Sequence, residues 1–161
     1  MPRRGWAKRG VHIKKDPPKN RKRVSLILAM ADDGIIGHRM KPGSFNTESY
    51  ASFLNSLPTD RTILADNVAF HKSKKVREVA RERCQHLIFT PPYCPWFNPV
   101  EFAFSITKKT YREARALSLP EDDFTSQVTD AIRSIEPQKC AAFFRHAQRN
   151  VDRERQVQLA R

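Results

Sequence analysis

The chain has 161 residues, 39% of them hydrophobic and 29% charged, which is length enough for one domain with a real core. Thirty Lys and Arg against seventeen Asp and Glu leave a formal charge of +13, an excess that points to an anionic partner, nucleic acid first among them. No apolar run nears the roughly 20 residues a bilayer requires, so no membrane span is expected, and the basic start lacks the apolar stretch of a signal peptide.

Residues 1–23 hold ten Lys or Arg against the single acid Asp16, which is +9 of the +13; the remainder, with twenty bases and sixteen acids, is only +4. This arm is rich in Pro and lacks apolar periodicity. It is expected to track phosphates by charge without reading sequence, through Arg3, Arg4, Lys8, Arg9, Lys14, Lys15, Arg21, Lys22 and Arg23. A solubilising tail, or an import signal in Lys19–Arg23, would use the same residues.

Val24–Ala31 is a nearly continuous apolar run, and Ile35–Met40 follows Asp32-Asp33-Gly34, where Asp-Gly is the usual chemistry of a hairpin turn. A helix should then open at Asn46 or Thr47, place Tyr50, Phe53, Leu54 and Leu57 on one face, and stop at Pro58. Arg61–Asn67 is a short apolar stretch that ends abruptly in two polar residues. It reads as a buried strand with Asp66 at its tip. The spacing predicts a very basic helix over 72–83, with Val76, Val79 and Ala80 inward, and a strand over 86–90.

In Tyr93–Glu101, Asn98 suits an N-cap, Pro99 the first helical position, and Glu101 falls at the third. An acid at that place also suits a capping box. The helix predicted over 99–116 turns Phe102, Ala103 and Ile106 to one side. Glu101, Ser105, Lys108 and Arg112 form a stripe along another, which is either a seat for a DNA backbone or an ordinary charged face. Residues 117–123 read as a linker, Phe124, Val128, Ile132 and Ile135 mark another helix, and a last one opens at Pro137. That helix should bury Cys140 and Phe143 or Phe144 before a polar tail from Gln148. The organisation is thus a basic arm (1–23), a core (24–116) and a helical segment of the same domain (117–161). Cysteines 84, 94 and 140 lack the paired spacing of a zinc knuckle or a disulfide framework. The chain reads as intracellular, and nuclear if its host is a eukaryote.

Two acidic contexts stand 34 residues apart (101 − 66 − 1). Ile63-Leu64-Ala65-Asp66-Asn67-Val68-Ala69-Phe70-His71, then Pro91-Pro92-Tyr93-Cys94-Pro95-Trp96-Phe97-Asn98-Pro99-Val100-Glu101, resembles the second and third acidic motifs of mariner-type transposases of the DDE superfamily. Cys94 stands where that family usually has Ser. Gly5-Trp6-Ala7-Lys8-Arg9-Gly10 looks like the Gly-Trp turn that follows the family's first catalytic strand.

The resemblance implies an α/β, RNase H-like mixed sheet flanked by helices. It implies that Asp66 and Glu101 are catalytic and each support one ion of a two-metal site for Mg²⁺ or Mn²⁺. It further implies DNA strand cleavage and transfer, with transposon ends and target DNA as partners and a second copy or an intact transposase as another. In the family the first Asp stands on a central strand before the Gly-Trp turn, so that acid and that strand are expected to be absent here. Asp16, Asp32 and Asp33 lie in loop or turn contexts and do not match it. The expected result is a chain with two unpaired strand edges, marginal folding, doubtful metal binding and no cleavage by itself. The alternative is a non-catalytic remnant that binds DNA or pairs with an intact transposase. Asn67 and His71 match motif positions close to the site, although a capping Asn and a surface His fit equally. Trp6 and Trp96 either support a DNA-facing loop or pack on the core.

Overall fold

The computed structural model describes residues 23–117 and 123–159. Strands β1 (Val24–Ala31) and β2 (Gly34–Pro42) form an antiparallel hairpin with an irregular register between Ala29 and Met30. Gly34 closes the Asp32-Asp33 turn at φ +148°, a conformation L side chains rarely adopt, with open space around it. The near-continuous apolar character of β1 has a direct cause. Its alternate residues are used on both faces: Leu26, Leu28 and Met30 pack into one apolar cluster, Ile27 and Ala29 into another.

Helix α1 (Thr47–Ser56) starts in a reciprocal cap, in which Asn46 Oδ1 accepts the Ser49 N–H (3.0 Å) and Ser49 Oγ accepts the Asn46 N–H (2.9 Å). Its inner residues Tyr50, Ala51, Phe53 and Leu54 are buried. The helix ends one residue before Leu57, which takes an extended conformation ahead of Pro58. Strands β3 (Thr62–Ala65) and β4 (His86–Phe89) pair in parallel, joined by α2 (Lys74–Glu82). This helix begins two residues later than its sequence pattern suggests, because Ala69–Lys72 wind into a 3-10 turn and Ser73 caps the helix through the Val76 N–H. The expectation of a buried β3 needs correction. Ile63 and Leu87 pack inward against α1 and α2, whereas their neighbours Leu64 and Ile88 share an exposed face.

Helices α3 (Val100–Leu117), α4 (Phe124–Arg133) and α5 (Pro137–Leu159) cover the hairpin, and Ala103, Ile132 and Cys140 are fully enclosed between them. The tail predicted from Gln148 is instead a continuation of α5 to Leu159. An uninterrupted run of residues without Gly or Pro explains it: nothing there breaks the helix, although its side chains are mostly exposed.

Among the described residues the sheet is not one mixed sheet but two pairs, β1 with β2 and β3 with β4. Between β1 and β3 runs a cleft of about 760 Å³, lined by apolar residues such as Leu28, Met30, Ile63 and Leu64 and also by Asp32, Asp33 and Arg61. It lies where the resemblance places a central strand, and β1 and β3 each keep one edge without a ladder among the described residues.

Candidate active site

Asp66 follows the last residue of β3, and its position is set by the parallel ladder: Ala65 accepts the Thr90 N–H at 2.9 Å. Its carboxylate is half exposed, and one oxygen is tightly held. His71 Nδ1 lies 2.6 Å from Asp66 Oδ1 with the His71 side chain only 11% exposed. The same nitrogen is 3.3 Å from the Asp66 backbone carbonyl. Both neighbours are acceptors, so Nδ1 carries the proton.

The imidazole is itself clamped. It stacks on Tyr50 with ring centroids 3.9 Å apart and an interplanar angle of 25°, and meets the edge of Phe70 at 4.4 Å. Burial, reinforced by the nearby Asp66 carboxylate, pushes the Tyr50 phenol far above its ordinary range. The phenol therefore stays neutral throughout physiological pH.

Glu101 sits in the first turn of α3 and is exposed. The capping-box alternative can be decided from the backbone. In such a box the acid accepts the N–H of the cap residue, yet the Asn98 N–H already donates to the Pro95 carbonyl at 3.0 Å. Asn98 performs the cap itself, its Oδ1 accepting the Val100 N–H at 3.3 Å. Asn98 is buried, and α3 therefore starts at a fixed point without help from Glu101. Asp66 and Glu101 line one cavity of about 250 Å³, together with His71, Asn98 and Tyr50.

Ser105, Lys108 and Arg112 are exposed along α3 beyond Glu101, as the stripe requires. Arg23 is exposed at the start of β1, its carbonyl accepting the Gly43 N–H at 2.8 Å. Arg3, Arg4, Lys8, Arg9, Lys14, Lys15, Arg21 and Lys22 lie outside the described residues, as do Trp6 and Asp16. Asp32 and Asp33 stay in the hairpin turn, on the larger cleft and away from the cavity shared by Asp66 and Glu101. Trp96 is half exposed rather than packed in the core, and its carbonyl accepts Asn150 Nδ2 of α5 at 3.0 Å. That anchor, and the Tyr50 ring, were missed from sequence. Tyr50 carried only a core signal, and the 54-residue separation of Asn150 from Trp96 left none.

The donor chemistry suits a hard divalent cation: two carboxylates on one cavity, with no Lys or Arg ion pair to either among the described residues. A closed two-ion site is not formed, since among the described residues no three His, Cys, Asp or Glu side chains cluster.

The fold is the RNase H-like one of DDE transposase catalytic domains. A Mos1 transposase paired-end complex with left transposon end matches with a TM-score of 0.65 and 17% identity, over 89% of this chain and 46% of that one. The catalytic domain of the Mos1 mariner transposase matches with a TM-score of 0.59 and 14% identity, over 77% of this chain and 68% of that one. A simian T-cell lymphotropic virus intasome in complex with PP2A regulatory subunit B56 gamma matches with a TM-score of 0.54 and 15% identity, covering 71% and 42%. The chain thus spans about half the length of the transposase in its paired-end complex. No curated protein matches the sequence. The family model for DDE superfamily endonucleases matches residues 1–121, taking in the arm, both half-sheets, Asp66 and Glu101. With three quarters of its length inside that match, the chain belongs to the DDE superfamily endonucleases.

Proposed function

We propose that this chain carries two of the three carboxylates of a metal-dependent centre for DNA strand cleavage and transfer in cut-and-paste transposition. The observation that carries the reading is the shared cavity of Asp66 and Glu101, acids that come from different elements and whose structural excuses are weak. Asp66 ends its strand without capping a helix, and the cap at Asn98 does not need Glu101.

Bound Mg²⁺ or Mn²⁺ would supply charge stabilisation at the entering and leaving oxygens of a phosphodiester. The chain's own residues have simpler tasks. His71 holds one carboxylate oxygen of Asp66 and leaves the other without a donor among the described residues, and Glu101 lines the same cavity from α3. Lys108 and Arg112 continue from Glu101 as a row of exposed cations for a DNA backbone, and the basic arm adds charge without sequence preference. Transposon-end DNA in the Mos1 complex supports DNA as the partner.

Among the described residues no third acid joins Asp66 and Glu101, and this chain is expected to bind DNA without cutting it. The test compares this chain with a version extended by the sequence encoded upstream of Met1. Mn²⁺-dependent nicking of terminal-repeat DNA is expected only in the extended version. It should vanish in Asp66→Ala and in Glu101→Ala while DNA binding persists. Cleavage surviving in Glu101→Ala would remove that residue from the centre. DNA binding without cleavage in every version would favour the non-catalytic remnant.

A further inference from the structure

We propose that His71 is a positioning residue that makes Asp66 a one-oxygen ligand, by holding Oδ1 through Nδ1–H and leaving Oδ2 for the cavity it shares with Glu101. The inference rests on the reading of Asp66 as a metal ligand and adds a specific division of labour within its carboxylate.

A free Asp side chain turns about its terminal torsion with little restriction and can offer one oxygen or both. Here that torsion is pinned at two points. Nδ1–H reaches Oδ1 at 2.6 Å and lies 3.3 Å from the carbonyl of the same residue, so side chain and backbone of Asp66 are fixed relative to one another. The imidazole cannot swing away, because Tyr50 lies flat against it and Phe70 meets it edge-on. Tyr50 is buried in α1 and Phe70 packs against the same apolar cluster, so the support reaches the core. Among the described residues no donor serves Oδ2, and the cavity is where it can find one. A histidine that served only packing would not need its polar edge on the strand-end acid. A surface histidine would not have a side chain only 11% exposed.

The test uses the full chain and Mn²⁺ alone, followed by electron paramagnetic resonance, with melting temperature recorded in parallel. Asp66→Asn should weaken Mn²⁺ binding. His71→Phe keeps a ring on Tyr50 but removes the donor, and should weaken it about 10- to 100-fold with little change in melting temperature. His71→Asn restores an N–H near the position of Nδ1 and should recover most of that loss. Nitrogen NMR of the wild-type imidazole should show the proton on Nδ1. Wild-type affinity in His71→Phe, or a proton on Nε2 alone, would overturn the positioning role while leaving Asp66 as a ligand. Absence of Mn²⁺ binding both in the wild type and in the version extended upstream of Met1, or an unaffected Asp66→Asn, would overturn the ligand reading and the positioning role with it.

Discussion

Thr90 donates its backbone N–H to the carbonyl of Ala65 at 2.9 Å, the last rung between the parallel strands β3 and β4. From that rung one chain continues directly into Asp66, and the other enters the Pro91–Asn98 turn that delivers Glu101. One hydrogen bond therefore aligns the departure of both acid-bearing segments.

The start of α3 separates capping from chemistry at neighbouring residues. Asn98→Ala should cost about 1 kcal/mol in urea unfolding, the usual loss of an N-cap. Glu101→Gln should stay within ~0.5 kcal/mol of wild type, as an exposed substitution away from any cap does. A larger loss in Glu101→Gln would return the residue to a structural role.

Leu54 is 1% exposed in the cluster beneath β3, and Ile132 is 1% exposed in the cluster beneath the hairpin. Leu54→Ala and Ile132→Ala should each cost about 2–5 kcal/mol through lost burial and residual cavity. Denaturant melts monitored by circular dichroism would measure both.

The sequence made most elements legible where a local signal existed. Asp-Gly marked the hairpin, Asn46 the start of α1, and the spacing of Val76 and Ala80 the inner face of α2. The structural contexts of Asp66 and Glu101 were readable because each follows a local boundary, a strand end at Ala65 and the helix start at Asn98. The register of the 3-10 turn before α2 was not readable, since it depends on how Phe70 and His71 reach Tyr50 across the fold. Nor was the exposure of Leu64 and Ile88, because an apolar run records what a strand can bury and not whether a neighbour covers it.

His38 offers a pH test of stability. Burial, helped by the positive charge of Arg133, holds its imidazole below the ordinary value of 6.5. The unfolded chain then binds the proton more readily than the folded one, so this contribution is intact above pH 6.5 and is lost as pH falls toward the folded-state value. Thermal melts should show a smaller acid-side decline in His38→Gln than in wild type. Equal declines would place the pH dependence elsewhere.

The basic arm should govern salt sensitivity. Removing residues 1–22 should flatten the plot of log affinity against log salt by about 0.9 for each phosphate the arm neutralises on duplex DNA. Fluorescence anisotropy across a salt series would read it. An unchanged slope would make the arm a solubilising tail.

Edges of β1 and β3 that have no ladder among the described residues, beside a cleft with apolar walls, should make the chain bind a hydrophobic dye and associate at high concentration. Light scattering and dye fluorescence would check this. A monomer with a sharp cooperative melt and no dye binding would count against it.

Strand β1 is also a seam. Asp66 travels with the unit built on α1, α2 and β3, while Glu101 travels with α3 and the helices packed on the opposite face of the hairpin. No backbone ladder ties those halves together among the described residues, and they meet chiefly through side chains on either face of one strand. A strand or ligand laid along that seam would consequently touch side chains of both clusters at once.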